Sequence, residues 1–219
     1  MLIMKKSDVS VIWSSSTDSN AFHDNQDSIK VIKSKNICAI ADGVTGGIKG
    51  KEASEIAVNV IERYDQSEEI EKQLVSFFKK SDNRVKSLST DMNYSATTLV
   101  IGIIRDNMVH FGSVGDSSVI IKSKNNITCL TDSDRIGMAG LLHTIGTGFS
   151  TIHYKAISVT RHDVIIFSTD GLTDNLSLEE INHIIEKGTP EYYASELVNV
   201  AIKKEYKKDD ISVITAFIQ

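Results

Sequence analysis

Residues 99–104 and 108–114 are two apolar, β-branched runs separated by little more than Asp106-Asn107. A connection that short closes as a tight hairpin turn, which sets the two runs side by side and antiparallel. A third β-rich run follows at 119–121. Val9, Val11 and Trp13 alternate with polar residues, the pattern of a half-buried strand. Further strands are predicted at 29–32, 37–41, 127–130, 152–159, 164–167 and 211–218. The chain is thereby committed to a sheet-rich fold whose strands are joined locally.

Helices are interspersed. Ala53, Ile56, Ala57, Val60, Ile61 and Tyr64 follow the spacing of one buried helix face. Ile70, Leu74, Phe77, Phe78, Val85 and Leu88 repeat it on a second, longer helix. Ser177-Leu178-Glu179-Glu180 is a capping box that opens a third. Thr189-Pro190 supplies an N-cap and a first-turn proline for a fourth, with Ala194, Leu197, Val198 and Ala201 facing inward. Strands reached by short turns, with helices in pairs, predict a mostly antiparallel α+β layered fold. Of the 219 residues 41% are apolar, and Pro190 is the one proline. With no linker-like stretch and no internal repeat, residues 1–219 read as one domain.

Composition excludes several classes. Lys and Arg total 24 against 29 Asp and Glu, a net charge of −5, which is not the basic footprint of a nucleic-acid binder. Cys38 and Cys129 form no CxxC pair and read as small buried side chains. The first six residues have the wrong charge order for a signal peptide. No run approaches the ~18 apolar residues of a membrane span, so a soluble cytoplasmic protein is expected. The sequence also lacks a G-x-S-x-G elbow, a Walker A loop and a dinucleotide fingerprint.

The acids are more informative in their local setting. Three predicted strands run straight into a carboxylate: 39–41 into Asp42-Gly43, 112–115 into Asp116, and 164–169 into Asp170, with Asp174 close behind. Asp209-Asp210 stands just before the last strand. Each segment alone reads equally as a turn, since Asp and Gly are common turn residues. The loop Asp42-Gly43-Val44-Thr45-Gly46-Gly47 is more pointed, being both acidic and glycine-rich. If the carboxylates converge, two of them ~4 Å apart repel by roughly 4 kcal/mol at an effective dielectric near 20. Divalent cations remove that repulsion. Oxygen donors without Cys or His match a hard ion, Mg²⁺ or Mn²⁺, and the six scattered histidines give no zinc pattern.

In this order the segments resemble the metal-dependent protein phosphatases, the type 2C serine/threonine class. The resemblance rests on Asn25-Gln26-Asp27-Ser28, the Asp42 loop with Gly50-Lys51-Glu52-Ala53-Ser54, and Ser95-Ala96-Thr97-Thr98-Leu99. It continues through Val114-Gly115-Asp116-Ser117, the 168–174 motif, and Asp209-Asp210-Ile211-Ser212-Val213. The resemblance implies a central antiparallel two-sheet β-sandwich flanked by helix pairs. It implies Asp42 bridging two ions, with the Gly43 carbonyl on one and Asp170 and Asp209 on the other. Asp27 would hold metal-bound waters, and Asp116 and Asp174 a third ion, unless Asp116 merely caps its own turn. Catalysis would run through a water activated between the ions, with no phosphoenzyme. The partners implied are a phosphorylated protein substrate and an opposing serine/threonine kinase.

Departures from the family pattern stand beside these matches. Phe22 occupies the position where an Arg usually grips the substrate phosphate, and bidentate Arg binding is hard to replace. Lys49, Arg135 and Arg161 are substitutes to be weighed against plain surface charge. Val44 stands where some members have a His, which leaves a general acid unassigned. Ser118 replaces a common Arg, and Asp210 a common Asn. Residues 130–146, the region of a flap in the family, are short and lack the usual Asp-His. Three readings follow: a protein phosphatase, a binding module that keeps the fold without turnover, or a phosphatase for small monoesters or phosphotyrosine.

Overall fold

The computed structural model describes residues 9–19, 24–132, 134, 141–149, 151–204 and 206–219. Two five-stranded antiparallel sheets lie face to face. The first has the order β1 (Val11–Ser19), β10 (Asp210–Ile218), β9 (Val164–Ser168), β6 (Ser118–Ser123), β7 (Asn126–Cys129). The second runs β2 (Asp27–Ile32), β3 (Ile37–Asp42), β4 (Leu99–Arg105), β5 (Met108–Val114), β8 (His153–Ser158). The β4–β5 turn is the one the sequence predicts. Asp106 and Asn107 have φ of 56° and 59°, the left-handed pair that a two-residue hairpin needs and that Asp and Asn tolerate.

Cys38, Ile40, Val100 and Phe111 of one sheet meet Val119, Phe167, Ile214 and Ala216 of the other between the layers. Gly102 allows the sheets to close, because a Cβ there would stand 2.4 Å from the Phe167 ring. The outer faces are covered as well. Helices α1 (Gly50–Val58) and α2 (Ile70–Lys86) pack on Ile37, Ala39, Ile101 and Ile103. Helices α4 (Leu178–Lys187) and α5 (Tyr193–Lys204) pack on Ile120, Val164, Ile166 and Val213. Strands covered on both faces read as continuous apolar runs, which is why β4 is apolar up to its terminal Arg105 and β9 up to its terminal Ser168.

Four local expectations change. The first helix does not run unbroken to Tyr64: α1 ends at Val58 and tightens into a 3₁₀ turn over Asn59–Arg63. Thr189-Pro190 opens a turn, in which Tyr192 N–H donates to the Thr189 carbonyl, and α5 starts only at Tyr193. Cys129 is exposed, because it lies on an edge strand, whereas Cys38 is buried as predicted. The β1 strand extends to Ser19, well past the predicted Trp13. The capping box is present in full, with Ser177 accepting from Glu180 N–H and Glu180 reaching back to Ser177 N–H.

The register aligns one rim of the sandwich. Ser19 lies opposite Asp210, Asp27 opposite Asp42, Leu99 opposite Val114, and Ser118 opposite Ser168. In an antiparallel sheet, a strand that ends at a rim lies beside one that starts there. β1, β3, β5 and β9 end at this rim, and β2, β4, β6 and β10 begin at it.

Candidate metal centre

The acids singled out in the sequence lie on that rim. Asp27 and Asp42 face each other across β2 and β3. Asp42 is fixed by its backbone: its N–H donates to Thr98 Oγ1 at 2.9 Å, and its carbonyl accepts from Thr97 Oγ1 at 2.7 Å and from Thr98 N–H at 2.8 Å. Thr98 Oγ1 also meets Ser117 Oγ at 2.8 Å, tying the Asp42 strand to the turn that carries Asp116. In that turn Gly115 has φ of 104°, and a Cβ would press on Thr98 Cγ2 at 2.7 Å. Gly43 is equally confined, since a Cβ would stand 2.3 Å from the Gly50 carbonyl oxygen at the start of α1.

The two sheets are stitched together at the same place. Thr169 Oγ1 donates to Asp27 Oδ2 at 2.8 Å and accepts from Ser212 N–H at 3.0 Å. Asp210, read as a departure from the family's Asn, accepts from Ser19 Oγ and from Gln26 N–H, both at 2.7 Å. It therefore clamps the β1 and β2 ends around the rim. Asp170 opens a short helix, α3 (Asp170–Thr173), directly after β9. Asn175, buried, donates to the carbonyls of Gly171 at 2.8 Å and Lys207 at 3.0 Å, and accepts from Lys207 N–H at 3.0 Å. One amide thus joins the turn bearing Asp170 and Asp174 to the loop bearing Asp209.

Electrostatics report the convergence. Burial holds the Asp42 carboxyl well above the usual range, reinforced by the charges of Asp27, Asp170, Asp209 and Asp116. Burial also pushes Asp27 up to about 7, with Asp210 and Asp170 adding to it and hydrogen bonds from Thr169 and Ser212 opposing it. Asp27 Oδ1 is buried without a hydrogen-bond partner among the described residues. Lys207, which the sequence reading passed over, brings its ammonium to 2.8 Å from Asp170, 2.7 Å from Asp174 and 3.0 Å from Asp209.

The donor chemistry fits a hard divalent cation. The donors are oxygens, Asp27 Oδ1 lacks a partner among the described residues, and a cationic side chain is already drawn to three of the acids. Among the described residues no three acids are closed into a ligation arrangement; Asp170, Asp174 and Asp209 turn oxygens to Lys207 instead.

The departures separate in space. Phe22 and Arg135 lie outside the described residues. Lys49 pairs with Glu52 at 3.4 Å. Arg161 sits in the turn where His162 N–H donates to the Ile218 carbonyl, at the opposite rim, which removes it as a phosphate grip for this centre. Val44 is held through its backbone N–H on the Ala96 carbonyl and carries no proton to donate. Of the 130–146 segment, Asp134 is buried and accepts from Gly115 N–H at 3.0 Å, and its other oxygen lies 3.0 Å from His153 Nε2. Lys207 and Asn175 carry no signal in sequence that sets them apart from surface or turn residues.

Similarity to known proteins agrees with this architecture. The solved structure of PppA, a key regulatory component of T6SS in Pseudomonas aeruginosa, superposes with a TM-score of 0.87 at 15% identity, covering 97% of this chain and 99% of that one. The Mycobacterium tuberculosis serine/threonine phosphatase PstP/Ppp superposes at 0.85 with 16% identity, covering 95% and 99%. The S. agalactiae serine/threonine phosphatase superposes at 0.86 with 21% identity, covering 95% and 100%. A search of curated proteins finds no significant match. The family model for protein phosphatase 2C matches residues 20–200, a span that includes Asp27, Asp42, Asp116, Asp170 and Asp174 and stops short of Asp209. The chain belongs to the protein phosphatase 2C family.

Proposed function

We propose that residues 1–219 form one catalytic unit that hydrolyses phosphoserine and phosphothreonine monoesters in proteins, with Mg²⁺ or Mn²⁺ held by the rim acids. The observation that carries this reading is the convergence on Asp42 of carboxylates from four other segments, with burial and like charge acting on it together. In this reading Asp42, the Gly43 carbonyl, Asp170 and Asp209 hold two core ions, Asp27 orders water around them, and Asp116 and Asp174 serve a third. When bound, such ions supply Lewis acidity toward phosphoryl oxygens and lower the pKa of a coordinated water. The protein's own part is rigidity. Thr97 and Thr98 aim Asp42, Thr169 aims Asp27, and Asn175 sets Asp170 against Asp209.

Support for the metal comes from a relative: the catalytic domain of PstP is described in complex with two manganese ions, at 18% identity and a TM-score of 0.84. Among the described residues no helix is long and apolar enough to cross a membrane, and we place the protein in the cytoplasm, opposing a serine/threonine kinase. A second reading, a binding module without turnover, is favoured by Phe22 at the usual arginine position.

One assay separates them. The protein is given a phosphothreonine peptide with Mn²⁺, then chelator, alongside Asp42→Asn and Asp209→Asn. Turnover that stops on chelation and in both variants is expected. Turnover in chelator or in either variant would overturn the metal assignment. No turnover on phosphoserine, phosphothreonine, phosphotyrosine or an aryl phosphate at any Mn²⁺ or Mg²⁺ level would favour the binding module.

A further inference from the structure

Lys207 stands outside every motif that carries the family resemblance, yet its ammonium is the meeting point of Asp170, Asp174 and Asp209 at 2.7–3.0 Å. Those acids come from two segments of chain, the α3 turn and the loop before β10. The lysine is aimed by its own backbone. Its N–H and its carbonyl both bond to the buried Asn175 amide, which also holds Gly171. The anchor is therefore the same turn that presents Asp170 and Asp174. The side chain is 40% exposed, so its flexible stem has an open route into solvent.

A divalent ion and an ammonium cannot take the same carboxylate oxygens, since both need the lone pairs and their charges repel. We propose that Lys207 is a tethered counter-ion: it neutralises Asp170, Asp174 and Asp209 before metal binds, competes with the divalent cation for them, and is displaced as the ion enters. This rests on the reading of those acids as metal ligands. Two effects follow. The acid rim keeps its shape without metal, because a positive charge is built into it. Metal affinity is set lower than the same acids would give alone, so loading depends on the free concentration of the ion.

The test uses Lys207→Met, which keeps the stem and removes the charge, and Lys207→Arg, which keeps the charge. Mn²⁺ affinity is measured by calorimetry, and the thermal midpoint is measured in chelator and in Mn²⁺. Lys207→Met is expected to bind Mn²⁺ about tenfold or more tightly, within the usual range for coupled binding events. Its midpoint in chelator should fall while its midpoint in Mn²⁺ holds, widening the gap between the two. Lys207→Arg should stay near the parent in both. Mn²⁺ affinity in Lys207→Met that is unchanged or weaker overturns the proposal, because a merely structural lysine would lower stability without tightening the metal. If Lys207→Met fails to fold in chelator, it is refolded in Mn²⁺ and release into chelator is timed; slower release than the parent supports the proposal and equal or faster release overturns it. No Mn²⁺ binding by either protein removes the metal reading itself, and this proposal with it.

Discussion

Replacing Asn175 with Ala tests whether one buried amide sets the spacing of the acid rim. The side chain makes three hydrogen bonds, two given to the carbonyls of Gly171 and Lys207 and one accepted from Lys207 N–H, all between 2.8 and 3.0 Å. A net worth of about 1 kcal/mol per hydrogen bond puts the loss at about 3 kcal/mol. For a chain of this size, that lowers the thermal midpoint by about 6–12 °C. The loss is read by urea unfolding in chelator, following circular dichroism. Calorimetry with Mn²⁺ under folding conditions gives the second readout. Asp170 and Asp174 lie on one side of the amide and Asp209 on the other, so metal affinity should fall along with stability. A stability change below about 0.5 kcal/mol, the level of an ordinary surface substitution, would refute the reasoning, as would full Mn²⁺ affinity in a destabilised variant.

Two further outcomes are expected. In chelator, Asp27 makes stability depend on pH. Burial raises its folded-state pKa to about 7, so the folded protein holds a proton that the unfolded chain releases near the ordinary carboxyl value of 3.8. Stability contributed by Asp27 is therefore full at low pH and is lost as pH rises through that window, by at most about 1.4 kcal/mol per pH unit. Asp27→Asn should flatten that part of the profile, and an unaltered slope in a pH series of urea melts would count against it. Gly43→Ala drives a methyl group to 2.3 Å from the Gly50 carbonyl oxygen and should destabilise the protein by about 1–3 kcal/mol by overpacking; a thermal midpoint equal to the parent's would contradict the close approach of the loop and α1.

Much of the architecture is legible in the sequence because it is written in local pattern. The Asp106-Asn107 turn, the helix face from Ile70 to Val85 and the Ser177–Glu180 capping box each depend on residues within a few positions of one another. The errors fall where local pattern competes with tertiary context. Residues 59–63 keep helical spacing but tighten into a 3₁₀ turn, and Thr189-Pro190 has the chemistry of a helix start but makes the turn before it. Cys129 lies in an apolar run, but only the strand order reveals that the run is an edge.

The sequence by itself determined which carboxylates stand at strand boundaries, that their neighbours are small or glycine, and that their order matches one family. Only the tertiary structure decided that they meet. Antiparallel pairing brings four strand ends and four strand starts to one rim, and that depends on register between segments up to 191 residues apart, such as Ser19 and Asp210. The same holds for Lys207. In the sequence it is one basic residue in a charged loop. In the fold, the buried Asn175 amide fastens its backbone to the α3 turn, and three carboxylates then give a long, mobile side chain one electrostatic minimum.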